Sequence, residues 1–202
     1  MGQEEKFRDK YRVSSARLQN YDYGQSGAYF VTICTQNRES FLGQITNGVM
    51  KLSEMGEIVK AEWEKTAVIR KNVILGERVV MPNHFHAVAI IDNGLIAANP
   101  HCILEPYRTV SHHVETHCNA SLQHQPQYKN KFGPQSHNLA SIIRGFKGAA
   151  VRQIHLAGFQ NFVWQSRFYD HIIRNENELN RISEYIQQNP HNWNNDKFFL
   201  TS

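Results

Sequence analysis

The chain predicts an α+β fold, a ferredoxin-like or RRM-like plait: an antiparallel sheet with helices on one face and an added C-terminal helix. Three observations carry this. Apolar segments follow one another as strand, helix, strand, strand, helix, strand, the split βαβ pattern. At 202 residues, with 41% hydrophobic and 20% charged, the chain matches one soluble domain over residues 1–202 with one core. Nowhere do about 18 apolar residues run together, and "MGQEEKFRDKYR" is charged with no apolar segment. A cytoplasmic protein without a membrane span is expected.

The first strand is "AYFVTICT" (28–35), rich in β-branched and aromatic residues and entered through the turn residues of "YDYGQSG". In "GQITNGVMKL", Asn47-Gly48 stands between apolar pairs, a hairpin signal. Ser53 then caps a helix with Glu54 and Glu57 in its first turn, at the positive end of the dipole. Met55, Val59, Trp63 and Ala67 repeat every four residues along it as far as about Arg70. "NVILGERVVM" and "HFHAVAII" supply the next two strands, joined at Pro82-Asn83 and ended by Asp92-Asn93-Gly94.

Residues 95–137 break the pattern: they are polar, show no sustained period and hold six of the eleven histidines. A long surface insertion, partly mobile, is expected there. Its "HC" pairs at 101 and 117 and "HH" at 112 match no common zinc module. Order returns with a helix whose one face collects Leu139, Ile142, Ile143, Phe146, Ala150 and Ile154, and whose opposite face collects Arg144, Lys147, Arg152 and His155. "FVWQSRFYDHIIR" (162–174) reads as the last strand. Asn175 with Glu178 resembles a capping box that opens a final helix, "ENELNRISEYIQQ", stopped at Pro190.

Cys34, Cys102 and Cys118 form neither an even set nor a CxxC pair, which fits a reducing compartment better than a disulfide framework. The net charge of +4 is compatible with a polyanionic partner and common without one.

Inside "VVMPNHFHAVAII" two histidines interrupt a strand that otherwise buries aliphatics. Alternation projects His84 and His86 from one face and Phe85, Ala87 and Ala89 from the other. Two imidazoles about 7 Å apart along a strand can hold one divalent ion if they lean together. A hydrogen-bonded core histidine is the plainer alternative, and HxH pairs also occur in cupin-like and hydrolase metal sites. In "YIQQNP", Tyr185 and Asn189 stand four residues apart on one helix face, where a phenol and an amide oxygen can reach one site. Tyr185 also flanks the apolar stripe of Leu179, Ile182 and Ile186, and sealing the core edge is its plain structural role.

As a set, "RLQNYDYGQSGAYFVTICTQNRESFLG", "VVMPNHFHAV", "IIRGFKGAAVRQI" and "FVWQSRFYDHIIRNENELNRISEYIQQNP" resemble the single-tyrosine HUH transposases, in particular the REP-associated branch. The resemblance runs from about Arg17 to Trp193, excluding 95–137. It implies a metal-dependent endonuclease and strand transferase for single-stranded or hairpin DNA. His84 and His86 would bind a divalent metal, magnesium or manganese, Asn189 would be the third ligand and Tyr185 the nucleophile. The product would be a 5′-phosphotyrosine with a free 3′-OH. Insertion-sequence relatives carry Gln where this chain has Asn189, a shorter amide, as the REP-associated branch does.

Tyr169, beside Asp170 and His171, is the rival nucleophile. On a strand, Tyr169 and His171 share a face while Asp170 points away, so the three form no relay. For phosphate contacts the candidates are Arg144, Lys147 and Arg152 on the polar helix face, with Arg38, Arg167 and Arg174 near strand ends; solvated surface charge is the default for any one of them. Two other functions compete: a domesticated hairpin-DNA-binding protein that no longer cuts, and a small-molecule metal hydrolase, which would need a closed pocket. Monomer and homodimer both remain compatible with the sequence.

Overall fold

The computed structural model describes residue 18, residues 21–95 and residues 137–199. In chain order the elements are β1 (Gly27–Cys34), the hairpin β2 (Gly43–Thr46) and β3 (Val49–Leu52), α1 (Glu54–Ile69), β4 (Val73–Val80), β5 (His84–Ile91), α2 (Leu139–Leu156), β6 (Tyr169–Ile173) and α3 (Glu176–Gln188). Four strands form one antiparallel sheet in the order β4-β5-β1-β6. Each α-helical crossover therefore skips one position: β1 to β4 leaves room for β5, and β5 to β6 leaves room for β1. This is the expected plait.

Local chemistry sets the boundaries. Asn47 and Gly48 both adopt positive φ, 53° and 74°, as a two-residue hairpin turn requires. The Ser53 side chain accepts the Gly56 N–H at 3.1 Å and starts α1. Gly56 itself lets the helix touch the chain before β2, since a Cβ there would stand 2.1 Å from the Leu42 carbonyl oxygen. Asn138 and Ser141 form a reciprocal capping box at the start of α2.

Alternation divides the core in two. Tyr29, Val31 and Ile33 of β1 and Phe85, Ala87, Ala89 and Ile91 of β5 face α1 and α2. There Trp63 meets Phe85 and Phe146 edge-on, with centroids 5.2 and 5.0 Å apart. Burying side chains of this size stabilises by about 1.5–3 kcal/mol each. The second cluster, Phe30, Val88, Ile90 and Ile173, lies on the other sheet face against Leu179 and Ile186 of α3. The added helix thus roofs the face that the plait alone leaves open, and β5 is buried along its whole length.

The last strand is shorter than 162–174. Backbone pairing does begin earlier, with Gln36 N–H donating to Val163 O and Gln165 N–H to Cys34 O, but only Thr35 and Trp164 form a bridge. The carbonyls of Gln165 and Ser166 then bond the Lys147 ammonium at 2.5 and 3.3 Å, and Phe162 and Trp164 turn into the core. The insertion expected at 95–137 lies outside the described residues except for its ends, Leu95 and His137. Among the described residues no helix is long and apolar enough to cross a membrane.

Candidate active site

Strand register builds the floor of the site. Thr32 of β1 stands between His86 of β5 and Tyr169 of β6, and Cys34 stands opposite His84. Residues directly opposite in antiparallel strands share a face, so these side chains all point toward α3. Tyr169 and His171 do share a face, as expected, while Asp170 pairs with Val31 on the other.

The position of α3 follows from its first turn. Asn175 accepts the Glu178 N–H at 2.9 Å, but Glu178 does not close the expected box. Its Oε2 accepts from Arg174 N–H, one residue before the cap, at 2.8 Å, and its Oε1 lies 2.7 Å from His171 Nε2. The helix start is thereby tied to β6, and its apolar stripe lies across the sheet. Tyr185 falls beside that stripe, 43% exposed, and Asn189 caps the helix end, buried. The Tyr185 ring packs edge-on against Phe30 while its hydroxyl reaches 3.4 Å from His86 Nε2.

The two imidazoles are fully buried, with ring centroids 4.5 Å apart. The Asn83 carboxamide oxygen lies 2.8 Å from His84 Nδ1. That oxygen can only accept, so Nδ1 carries the proton and Nε2 presents a lone pair. Thr32 Oγ1 sits 2.8 Å from His86 Nδ1 and orients the second ring. Burial first, then the neighbouring His86, Lys197 and Arg38, push His84 down to about 2. Burial and Lys197 bring His86 down to about 3, against a backbone bond to Val31. Both rings are neutral at pH 7, which is the ligand form of histidine.

His84 Nε2 and Asn189 Oδ1 are buried without a hydrogen-bond partner among the described residues. A lone pair and an amide oxygen held without a donor carry a desolvation cost, and a cation relieves it. Imidazole nitrogen and amide oxygen are both donor types that a divalent ion takes. A carboxylate oxygen of Asp196 joins the group, within 4.8 Å of one nitrogen of each histidine.

An open cleft of about 520 Å³ runs over this floor, bordered by Thr32, His86, Tyr169, Tyr185, Arg181 and Lys197. Burial pushes the Tyr185 phenol above its ordinary range, the Asn189 side chain pulls it down and Asp196 pushes it up again, for a net rise. Tyr169 borders the same cleft, 49% exposed, but its neighbour His171 is engaged by Glu178.

The expected DNA contacts divide. Arg144 and Arg152 are exposed on α2, on the sheet face away from the cleft. Lys147, also on α2, spends its ammonium on the 165–166 turn. Arg38 stacks over Phe198, 5.2 Å from its centroid, and donates to Lys197 O. Arg167 and Arg174 flank β6. Sequence reading missed Thr32, Asn83, Arg181, Asp196 and Lys197. Of these only Asn83 carried a local signal, its place next to the histidine pair, and Pro82 beside it pointed to a turn instead.

No protein-family model matches the chain. A solved structure of a REP-associated tyrosine transposase bound to a REP hairpin shares the fold with a TM-score of 0.50 and 22% identity, over 90% of this chain and 76% of that one. An uncharacterized protein of Haemophilus influenzae is 33% identical over 186 residues, 92% of each chain. Identity at that level over nearly the full length of both places the chain in one family with the Haemophilus influenzae protein, and its fold is that of a tyrosine transposase.

Proposed function

We propose that the protein is a transposase-type enzyme that cuts and rejoins single-stranded DNA beside a hairpin through Tyr185. The observation that carries this reading is the placement of one half-exposed phenol 3.4 Å from His86, on the rim of an open cleft lined by Asn189, whose amide oxygen is buried with no hydrogen-bond partner among the described residues. The tyrosine transposase of the same fold is bound to a REP hairpin, which supports hairpin DNA as the substrate class.

His84, His86 and Asn189 would hold the divalent ion, magnesium or manganese. When bound, it would polarise the scissile phosphate and offset charge developing on its oxygens. The remaining work belongs to the chain. A free phenol has a pKa of about 10, so at pH 7 about one in a thousand is ionised, a deficit of roughly 4 kcal/mol. Burial and Asp196 deepen that deficit and keep Tyr185 protonated at rest. The Asn189 side chain counters it, and the α3 frame aims the hydroxyl at one point of the cleft.

In the step itself the Tyr185 O–H bond breaks as its oxygen bonds to phosphorus, the P–O3′ bond breaks, and the 3′-oxygen takes up a proton as a free hydroxyl, so that in sum one proton passes from the phenol to the 3′-oxygen. The 5′-phosphate stays on the tyrosine. Because the phosphodiester is retained in that bond, another 3′-OH reverses the step without a nucleotide cofactor.

The test is incubation with labelled hairpin DNA from the flanks of the gene and manganese, read as a covalent band on a denaturing gel. A band that survives Tyr169→Phe and disappears with Tyr185→Phe is the expected result. Binding without any band would favour the non-cutting hairpin binder.

A further inference from the structure

Beyond the helix that carries Tyr185, the chain turns back over the histidines. Trp193 and Phe198 reach the His84 ring, with centroids 6.0 and 4.5 Å away. Asn83 Nδ2 donates to Phe198 O at 2.8 Å, and Arg38 donates to Lys197 O at 3.3 Å. Residue 196 therefore lies between Trp193, whose ring faces His84, and the hydrogen-bonded carbonyls of Lys197 and Phe198. The Asp196 carboxylate is itself fixed, because its Oδ1 accepts the Phe198 N–H at 2.7 Å.

We infer that Asp196 is a further ligand of the metal site, supplied by this returning segment, and that metal binding couples the segment to the sheet. The inference rests on the metal site of the proposed function and extends it. Three observations support it. An oxygen of Asp196 and one nitrogen each of His84 and His86 lie within 4.8 Å of one another. Ligands of one such ion stand at most about 4.4 Å apart, twice a bond of about 2.2 Å, so loading asks for only a small contraction.

Charge is the second. Two neutral imidazoles and an amide bring no negative charge, while two cations stand beside them: Arg38 donates to Lys197 O, and both side chains lie over the Phe198 ring that packs on His84. A dication entering that field needs an anion beside it, and Asp196 is the carboxylate that groups with the two histidines among the described residues. Ligand chemistry is the third: manganese and magnesium favour charged oxygen over a second amide or imidazole. Asn189 and Asp196 then approach from α3 and from the segment beyond it, while the histidines approach from β5.

The experiment is manganese titration by calorimetry of the full chain, with hydrogen exchange of residues 193–199 followed in parallel. Asp196→Asn is the informative variant, since its amide oxygen can still accept the Phe198 N–H while the charge is gone. Expected are manganese binding at least tenfold weaker in Asp196→Asn, and a manganese-induced slowing of exchange at 193–199 in the wild type that the variant lacks. His84→Ala separates the two readings. If the wild type binds no manganese, or His84→Ala binds it equally well, the metal site of the proposed function falls and Asp196 with it. If His84→Ala abolishes binding while Asp196→Asn binds as tightly as wild type, Asp196 alone is struck from the site. Melting temperatures measured without metal show whether either variant is unfolded; should Asp196→Asn be, Asp196→Glu, which restores the charge, is expected to restore manganese binding, and its failure to do so would overturn the assignment.

Discussion

Asn83 joins His84 to Phe198: its carboxamide oxygen faces the imidazole Nδ1 at 2.8 Å and its amide donates to the Phe198 carbonyl at the same distance. One buried side chain thus sets the ring tautomer and ties the C-terminal segment to the strand hairpin. Replacing it leaves a buried N–H and a buried carbonyl without their partner. Asn83→Ala is expected to lose about 1–3 kcal/mol of stability and to bind manganese about tenfold to a hundredfold more weakly. Urea denaturation and metal titration on the same preparation check both.

Glu178 gives the fold a readable pH dependence. Burial opposes its charge, but the Arg174 N–H, the His171 side chain and the charge of Arg174 outweigh that and hold its carboxyl below the usual range. Arg181, 3.8 Å away, faces the same group. A carboxyl whose folded value is depressed stabilises above its unfolded pKa and loses that contribution as pH falls through the folded one. Glu178→Gln is therefore expected to be about 1 kcal/mol less stable than wild type at pH 7, and the gap should close below about pH 4. A gap that stays constant from pH 7 to pH 3 would mean that the charge contributes nothing.

Two helical glycines should respond with opposite signs. At Gly56 a methyl group would stand 2.1 Å from the Leu42 carbonyl oxygen, which is backbone and cannot swing away, whereas at Gly148 nothing lies within 4 Å. Gly148→Ala should raise stability by about 0.5–1 kcal/mol through helix propensity alone. Gly56→Ala should cost about 2 kcal/mol or more, by forcing α1 away from the chain that enters β2. Thermal melts of the pair decide it.

These residues also mark what a sequence can and cannot disclose. Period-2 alternation in "HFHAVAII" is enough to place His84 and His86 on one face, and the order of apolar segments is enough for the plait, because both depend on neighbours within a few residues. Thr32 touches His86 only because β1 and β5 pair in one register, and that register is a property of two strands 54 positions apart. Asn83 and Phe198 are separated by 115 positions, and "HNWNNDKFF" has no period to announce where it docks. The same holds for Asp196. Lys147 misleads for a different reason: it does stand on a polar helix face, but its ammonium is engaged by the turn before β6.

Under the proposed function, which cations would meet DNA follows from which side of the sheet they occupy. Arg181 and Lys197 border the cleft with Tyr185, while Arg144 and Arg152 project from α2 on the opposite side. A strand whose phosphate reaches Tyr185 must run along the cleft, and counterions are released only where side chains and phosphates meet. Arg181→Ala and Lys197→Ala are each expected to weaken hairpin DNA binding and to flatten the slope of log affinity against log salt by about 0.7 for each phosphate left without its cation. Arg144→Ala and Arg152→Ala should leave affinity and slope unchanged. Fluorescence anisotropy over a salt series reads both quantities; a slope that falls in the α2 variants instead would place the DNA across the helical face, too far from Tyr185 for the cleft to be its path.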